Sequence, residues 1–449
     1  MRRRDSDGPG PAGTTSIATL THPRAGVFWL AVLVTGAGTG AGAIVLTRLL
    51  ETVQRLAWPA APGVLDAAAR ASASRHLVVL AAAGAATALG QLLLGRLTSG
   101  NGIETTTAIW FTAGRVPRLR TLGSAVLSVI VVGMGASLGR EGAPKQAGAV
   151  LANAVCDRAG FSDEQRRLLV ACGAGAGLAA AYGVPVGGAL FAIEVMRGML
   201  ALRMVLPALV TSLVAALVAG LVLPDAPTYV VPAYAASASL LCWSAVAGPL
   251  AGLVSVGFVR AIAWADRVKP SGAGRVLAPV VALTALGALS LRFPQLLGNG
   301  HDVTQLAIEG QVALPLLIAL LAFKPLAIVG CLSAGVPGGL LTPSLTTGAM
   351  LGGALGVVWS WWWPGAAPGA CALIGGAAVL AATTQGPLSA AVLVMELTGQ
   401  GRGLLVPLLI AVATATLLAR TLDIRSIYDA RLSGEQLRER QRIRGLPAG

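Results

Sequence analysis

A long stretch without charge is the feature that most constrains how this chain folds. Across residues 325–395, 71 consecutive positions contain no Asp, Glu, Lys or Arg. Six prolines and many glycines interrupt the stretch, which is a poor pattern for straight membrane-crossing helices. It predicts short tilted helices and segments that end within a membrane. Such breaks are tolerated only where protein or water covers the exposed backbone.

The composition of the whole chain also indicates a membrane protein. Only 12% of the 449 residues are charged, against about 25% in soluble proteins. The apolar fraction is 55%, and so few charges cannot cover that much apolar surface in water. A cytosolic enzyme, a nucleic-acid-binding domain and a disordered chain are therefore excluded. We interpret the net charge of +14 as Lys and Arg in cytosolic loops and tails, as the positive-inside rule favours.

Few residues could hold a metal or carry out covalent chemistry. The five cysteines lie far apart in apolar runs, and the three histidines form no cluster with them. The cysteines are therefore predicted to be small core residues, without a disulfide framework, a metal site or haem ligation. No nucleophile with a neighbouring base stands out, so we expect neither a cofactor nor an enzymatic activity.

Eight apolar stretches approach the length of about 20 residues that a helix needs to cross a bilayer. They are residues 25–50, 76–97, 121–139, 205–223, 240–259, 276–291, 314–333 and 404–419. Residues 1–24 have three arginines directly after Met1 and continue through Gly, Pro, Ser and Thr, which predicts a disordered cytosolic tail. The opposite end is also basic and polar, so both termini are predicted to be cytosolic.

Part of the chain recurs after about 200 residues. Residues 147–154 (AGAVLANA) match residues 347–354 (TGAMLGGA), and a Pro followed nine residues later by a Glu recurs at an offset of 202. The pairs at this second offset include Pro185/Pro387 and Glu194/Glu396. Duplicated halves with broken helices are typical of transporters, whose sites lie between the repeats. The predicted boundaries are 25–232 and 233–432 for the repeats and 433–449 for a cytosolic tail.

Three glycine-rich stretches precede short apolar helices. A helix N-terminus has unpaired N–H groups and about half a positive charge, and glycine lets a ligand approach the backbone. Several N-termini converging within a membrane would hold a dehydrated anion without a full counter-charge. For any one stretch alone, we favour an ordinary helix break with close packing. The stretches are GNGI at 100–103, GREGAP at 139–144 and GVPGGLLTP at 335–343.

Glu141 distinguishes the second of these stretches. It is an ionisable residue flanked by glycine at a predicted helix start. Such a group within a membrane costs roughly 2.5–3.5 kcal/mol on insertion scales, so it is a functional candidate by default. Its carboxylate could occupy an anion site, block the path, and leave when protonated.

These motifs together resemble the CLC family of chloride channels and proton-coupled chloride transporters. The resemblance covers about residues 25–432 and implies an all-α polytopic membrane protein, a CLC-type inverted repeat of many short tilted and broken helices. It also implies a homodimer with a separate pore in each subunit. Because 17 residues follow Leu432, we expect a prokaryotic type without C-terminal regulatory domains. The remaining motifs are AAAYGVPVGGALFAIEVMRG at 179–198 and SIYDARL at 426–432.

The resemblance implies roles for individual residues. Glu141 corresponds to the family's gating glutamate, and Tyr428 to a tyrosine whose hydroxyl donates to the central anion. Arg140 either contributes to an electropositive outer funnel or extends to the lipid headgroups. The implied anion-binding residues are Gly100, Asn101, Gly102, Ile103, Gly139, Arg140, Gly142, Leu340, Leu341 and Tyr428.

The sequence departs from the family pattern near this implied site. Asn101 replaces a usual serine, which leaves the preference between chloride and nitrate open. Glu104 replaces a usual proline. Lys145 adds a charge inside the helix that follows Glu141, where it either attracts anions or pairs with a carboxylate.

Val195 is the largest departure. Many coupled members carry a second glutamate at this position, which passes protons from the cytosol. The adjacent Glu194 could replace it through water, although we favour a buried carboxylate bonded to backbone. Valine resembles the pattern of passive channels, yet some prokaryotic coupled members also lack the internal glutamate.

Lys324 is a further basic residue in an apolar context. It precedes Pro325, and we predict that it lies at the lower end of a membrane span. Either a cytosolic anion vestibule or a positive-inside anchor would explain it.

The sequence thus predicts a multi-pass protein of the plasma (inner) membrane that transports chloride or a similar monovalent anion. A proton/chloride antiporter gated by Glu141 is favoured, and a passive gated channel is the alternative because of Val195. The expected partners are the anion, protons in the coupled case, the lipid bilayer and a second copy of the chain, with no nucleic acid.

Overall fold

The computed structural model describes residues 25–59, 63–97, 104–224, 226–399, 403–430 and 432–443. The predicted N-terminal tail and the GNGI motif, with Gly100, Asn101, Gly102 and Ile103, lie outside the described residues. The described residues form helices and no β-strand, and a single antiparallel bridge links two loops between Gly139 and Gly339.

The helices vary widely in length, from 6 to 33 residues. In chain order they are α1 (Ala25–Ala57), α2 (Val64–Ala69), α3 (Ala73–Leu97), α4 (Thr105–Phe111), α5 (Arg118–Gly133), α6 (Gly142–Ala159), α7 (Asp163–Tyr182), α8 (Pro185–Leu190, continued by a π-helix over Phe191–Met196), α9 (Leu202–Gly220), α10 (Ala238–Arg267), α11 (Gly274–Ser290), α12 (His301–Ile308), α13 (Leu314–Ser333), α14 (Leu341–Ser360), α15 (Pro368–Thr384), α16 (Pro387–Thr398), α17 (Leu405–Leu422) and α18 (Gly434–Ile443).

Seven helices of the described chain are long and apolar enough to cross a membrane, namely α1, α3, α9, α10, α13, α14 and α17. The eight predicted stretches all fall largely on helices. The third ends earlier than expected, at Gly133 rather than residue 139, because Gly135 adopts a left-handed conformation with φ 110°. Residues 134–141 are thereby released into a loop.

The charge-free stretch contains longer helices than its prolines and glycines predict. α14 alone has 20 residues and most of its side chains are buried. Pro343 lies in its first turn, where no N–H is required. Pro325 lies inside α13 and does not end it, because neighbouring groups in a membrane bundle can satisfy the freed backbone.

Equivalent helix pairs of the two halves pack in the same way through glycine. In the first half, Gly148 of α6 and Gly173 of α7 contact each other's backbone. In the second, Gly348 of α14 and Gly375 of α15 do the same. A Cβ at any of these positions would overlap the facing helix, so the absence of a side chain permits the close approach typical of membrane helices.

Two glutamates link the halves reciprocally. The carboxylate of Glu194 accepts the backbone N–H groups of the second and third residues of α16, at 3.2 and 2.6 Å. The carboxylate of Glu396 accepts those of the second and third residues of α8, at 3.0 and 2.6 Å. Because the donors and acceptors occupy corresponding positions of the repeat, this exchange has the pattern of a two-fold axis between the halves.

The last described segment is a helix that packs against the rest of the protein. α18 places Arg440 in an ion pair with Asp429, and both side chains are only 3% exposed. The Arg440 guanidinium also lies 5.0 Å from the ring centre of Trp110 on α4. Part of the predicted tail therefore contacts the membrane domain directly.

Lys324 does not lie at the end of a span, so that prediction was wrong. It is in the middle of α13 and 1% exposed. Its Nζ donates to the carbonyl oxygens of Leu296 and Gly298, each at 2.9 Å. The carbonyls of a loop from elsewhere in the chain therefore solvate the charge, and the local sequence does not reveal them.

Candidate anion site

Glu141 lies where two loops cross, immediately before the first residue of α6 and only 4% exposed. Its Oε1 accepts the backbone N–H of Leu341 at 2.7 Å, and its Oε2 accepts the hydroxyl of Thr342 at 3.0 Å. Leu341 and Thr342 begin α14, so the carboxylate is held at the positive end of that helix. A negatively charged side chain thus occupies the type of position at which helix N-termini bind free anions.

The antiparallel bridge brings these two loops together. Gly139 and Gly339 exchange both of their N–H···O bonds, each at 2.8 Å. A Cβ on either glycine would lie 2.5 Å from the carboxyl carbon of Glu141. Both positions therefore require glycine for the carboxylate to fit, and the N–H of Gly139 is already used within the protein.

A chain of two hydroxyls extends from the carboxylate. Thr342 donates to Glu141, so the Tyr182 hydroxyl, 3.0 Å from Thr342 Oγ1, is placed to donate to it. The guanidinium of Arg140 lies 5.0 Å from the centre of the Tyr182 ring, within cation–π range. These contacts hold Glu141 in one position through residues from three segments of the chain.

A polar cavity of about 220 Å³ adjoins this network at Arg140. Its polar lining includes Gln295, Asn299, His301 and Asp302. The ring of His301 bonds Asp302 at 3.1 Å and the carbonyl of Thr228 at 2.9 Å. The cavity can hold water and small ions next to the loop that carries Glu141.

Tyr428 lies on another side of the site, in the loop between α17 and α18, and is 8% exposed. Its ring packs edge-on against Phe191 at 5.8 Å between centroids. The Nζ of Lys145 lies over the same ring, 4.4 Å from its centre. Tyr428 is therefore in contact with an aromatic ring and with a cation.

Lys145 is paired with a carboxylate, which is one of the two alternatives that the sequence left open. Its Nζ lies 3.1 Å from Oε1 of Glu104 and 4.4 Å from the centre of the Tyr428 ring. The other carboxylate oxygen of Glu104 accepts the N–H of Thr106 at 2.7 Å and caps α4. The two departures from the family pattern at Glu104 and Lys145 thus form a single ion pair.

Glu194 and Val195 lie on the π-helix that continues α8, a local distortion that is frequent at functional sites. Val195 is 3% exposed and faces Gly386 at the start of α16. The Glu194 carboxylate is bonded to backbone N–H groups, as the favoured interpretation from the sequence expects, but the side chain is only half-buried.

The structure therefore assembles residues that the sequence considered separately. Arg140, Glu141 and Leu341 meet at the crossing of the loops, and Leu340 immediately precedes α14. Gly142 packs against Gly339 in the same crossing. Sequence reasoning missed Thr342 and Tyr182. Thr342 could have been found, because its hydroxyl adjoins a predicted helix start, whereas nothing in the sequence indicates Tyr182.

The fold and the site define a class: a multi-pass membrane protein in which separate helix starts surround a buried carboxylate. Residues 82–420 match the protein family described as voltage gated chloride channel. The chain therefore belongs to this family, the CLC family.

Curated relatives support the same membership. The chain is 33% identical over 321 residues to a voltage-gated ClC-type chloride channel, ClcB, of Citrobacter koseri, and the alignment covers 69% of this chain and 75% of that protein. It is 34% identical over 317 residues to the ClcB channel of Salmonella typhi, with the same coverage. CLC proteins are channels or transporters rather than enzymes.

Solved structures share the fold. A slow cyanobacterial Cl−/H+ antiporter superimposes with a TM-score of 0.79 at 23% identity, covering 93% of this chain and 99% of that one. A CLC-type fluoride/proton antiporter superimposes with a TM-score of 0.73 at 19% identity, covering 92% and 99%. At these identities the likeness concerns the fold.

Proposed function

We propose that this protein exchanges chloride or a similar monovalent anion for protons across a membrane, with Glu141 as the gate. One observation carries the proposal: the Glu141 carboxylate is bound at the N-terminus of α14 as an anion would be. A proton on this carboxylate removes its charge and weakens its bond to the Leu341 N–H. The side chain can then leave, and an external anion can take its place.

The surrounding residues have complementary roles in this proposal. Arg140, in the lining of the adjoining cavity, attracts anions towards the gate through its charge. The N–H groups of Leu340 and Leu341 and the hydroxyl of Tyr428 bind the anion after Glu141 leaves. Such neutral donors suit a transport site, because the ion must be bound and also released. Gly139, Gly142 and residues 100–103 complete the anion path in this proposal.

The cellular setting is part of the same proposal. We place the protein in the plasma (inner) membrane with both termini in the cytosol, as the excess of Lys and Arg favours. We further propose a homodimer in which each subunit has its own path, with repeats at 25–232 and 233–432.

A passive anion channel is the second candidate. Val195 favours it, because a valine cannot pass a proton at the position of the family's internal glutamate. The curated relatives are named as channels, whereas two of the solved structures are described as antiporters. The names of relatives therefore point in both directions, and a measurement of coupling is required.

Purified protein in liposomes separates the two candidates. An imposed chloride gradient is used to drive transport, and proton movement is followed with a pH electrode or a trapped dye. We expect uphill proton movement that stops when a protonophore is added. Robust chloride flux without proton movement would overturn the antiporter and establish the channel.

The gate is tested by the variant Glu141→Gln, which keeps the shape of the side chain and cannot be ionised. We expect anion flux that no longer responds to pH and a complete loss of proton coupling. Glu51→Gln is the control, because Glu51 pairs with Arg48 on an exposed face of α1. If Glu141→Gln keeps the wild-type pH response, Glu141 is not the gate.

A further inference from the structure

Lys145 and Glu104 form an ion pair that is almost fully enclosed. The two side chains are 10% and 14% exposed, and their charged atoms lie 3.1 Å apart. Removing two charges from water costs several kcal/mol per ion, which their mutual attraction offsets only in part. Replacing a buried ion pair by apolar residues of similar volume is often neutral or stabilising, so stability alone does not explain the pair.

The position of Lys145 favours an anion as an alternative partner. It lies one turn into α6, and its backbone N–H bonds the carbonyl of Glu141 at 3.4 Å. Its ammonium lies against the Tyr428 ring, on the residue that the proposed function assigns to the anion. An ammonium has three donors, and Glu104 occupies one of them through Oε1. An anion beside Tyr428 would therefore find a full positive charge within reach.

We propose that Lys145 is an anion-binding residue whose built-in counter-ion, Glu104, is displaced when a monovalent anion binds beside Tyr428. This inference rests on the proposed anion transport. A proton from solvent binds Oε1 of Glu104, the carboxyl group becomes neutral, and its ion pair with Lys145 breaks. The carbonyl oxygen of the neutral acid keeps its bond to the Thr106 N–H, and the anion takes the place of Oε1 at Lys145. The site thus gains one proton and one anion with no change in net charge.

The other charged groups around this pair have partners of their own. Glu141 is held by α14, as described above. Among the helices packed near α4, Arg167 of α7 donates to the carbonyl of Ile109 at 3.1 Å, and Arg440 of α18 pairs with Asp429. Glu104 is therefore the carboxylate that faces the Lys145 ammonium. It would provide an inner proton-binding group in a chain that has Val195 at the family's internal position.

Binding of chloride in the Glu141→Gln background tests the proposal, because this background removes competition from the gate. Isothermal titration calorimetry on purified protein in detergent is performed at pH 7.5 and pH 4.5. We expect tighter chloride binding at pH 4.5. Adding Glu104→Gln should make binding tight and independent of pH. Adding Lys145→Met should weaken binding by about tenfold, the effect of one charge-assisted hydrogen bond, and should also remove the pH dependence.

Two further variants keep the test decisive. Lys145→Arg retains the charge and should restore most of the affinity together with its pH dependence. The combined Glu104→Gln and Lys145→Met change removes both charges and avoids leaving one buried alone, so it should fold and still bind weakly. Asp163→Asn is the control, because Asp163 pairs with Arg115 at an exposed position.

The inference and the proposed function fail in different ways. If Lys145→Met leaves chloride affinity and its pH dependence as they are in the background protein, Lys145 does not bind the anion, although Glu141 can still be the gate. If wild-type liposomes move chloride without protons, antiport is excluded, yet the calorimetry still decides whether Lys145 binds the anion.

Discussion

The hydrogen bond from the Thr342 hydroxyl to Glu141 can be removed by mutation without removing the backbone donor. Leu341 supplies an N–H to one oxygen of Glu141, whereas Thr342 supplies a side-chain donor to the other and is itself held by Tyr182. A hydrogen bond to a charged group contributes about 1.5–3 kcal/mol. Thr342 is therefore positioned to stabilise the ionised form of Glu141 selectively, which is the closed state of the proposed gate.

Replacing Thr342 by Val should make the gate open more readily. Valine has nearly the same shape but no hydroxyl, so the ionised carboxylate loses a donor while the neutral acid loses less. We expect the pH of half-maximal anion flux in liposomes to rise by about one pH unit. Thr342→Ser keeps the donor and should behave like the wild type. An unchanged pH profile in the valine variant would show that the hydroxyl does not hold the gate.

The sequence could predict a site residue only where the features that mark it are close together along the chain. Glu141 was identifiable because its charge and its flanking glycines are local features. The Tyr182–Thr342 contact joins residues 160 positions apart, and the Lys145–Glu104 pair joins residues 41 apart. No local pattern reports such pairings. Lys324 was misplaced for the same reason, because its carbonyl partners belong to a distant loop.

At the scale of helices, two glutamates cap helices in opposite halves of the chain. Glu194 caps the start of α16, and Glu396 caps the start of α8. Each carboxylate satisfies two backbone N–H groups that the helix itself cannot pair. α8 and α16 are short helices that begin with proline. Because isolated short helices are marginal, tertiary contacts such as these caps are needed to define where they start.

Removing either charge should destabilise the protein to a similar extent. In Glu194→Gln and in Glu396→Gln, an amide NH₂ would face a backbone N–H, and at least one bond would be lost. We expect a loss of about 1–3 kcal/mol, seen as a lower apparent melting temperature in detergent. Glu51→Gln, at an exposed ion pair, should change the melting temperature little. A large loss in only one of the two variants would contradict the equivalence of the caps.

The sequence predicted the helices better than their ends. Hydropathy located the spans because each must bury or expose a continuous apolar surface. The early end of α5 depends on the conformation of Gly135, and the length of α14 depends on Pro343 falling in its first turn. These are consequences of backbone geometry, and a glycine or proline in the sequence permits several geometries.

For the molecule as a whole, Asp423 anchors the segment that leads from α17 to Tyr428. It bonds Arg260 of α10 at 3.0 Å and Arg425 at 2.5 Å. Burial opposes the charged form of Asp423, but the hydrogen bonds from Arg425 and Arg260 outweigh it and lower its pKa from 3.8 to about 2. The position of Tyr428 thus depends on a charged cluster beyond the end of a membrane helix.

This cluster should make stability depend on pH in an acidic window. Because the pKa of Asp423 is lower in the folded protein, its contribution is complete above about pH 4 and is lost as the pH falls towards 2. We expect Asp423→Asn to lower stability at pH 7 by about 1 kcal/mol, since both arginines are partly exposed. The difference in apparent melting temperature should disappear near pH 2. A constant difference at both pH values would assign the effect to shape rather than charge.

The exchange of caps between the halves has a consequence in time. The N–H groups at the start of α8 do not have the Glu396 carboxylate as an acceptor until the ribosome has added about 210 more residues. At about 5–20 residues per second, that delay is roughly 10–40 s. During synthesis the first half must therefore remain beside water or another polar surface at this point, and it becomes complete only when the second half arrives.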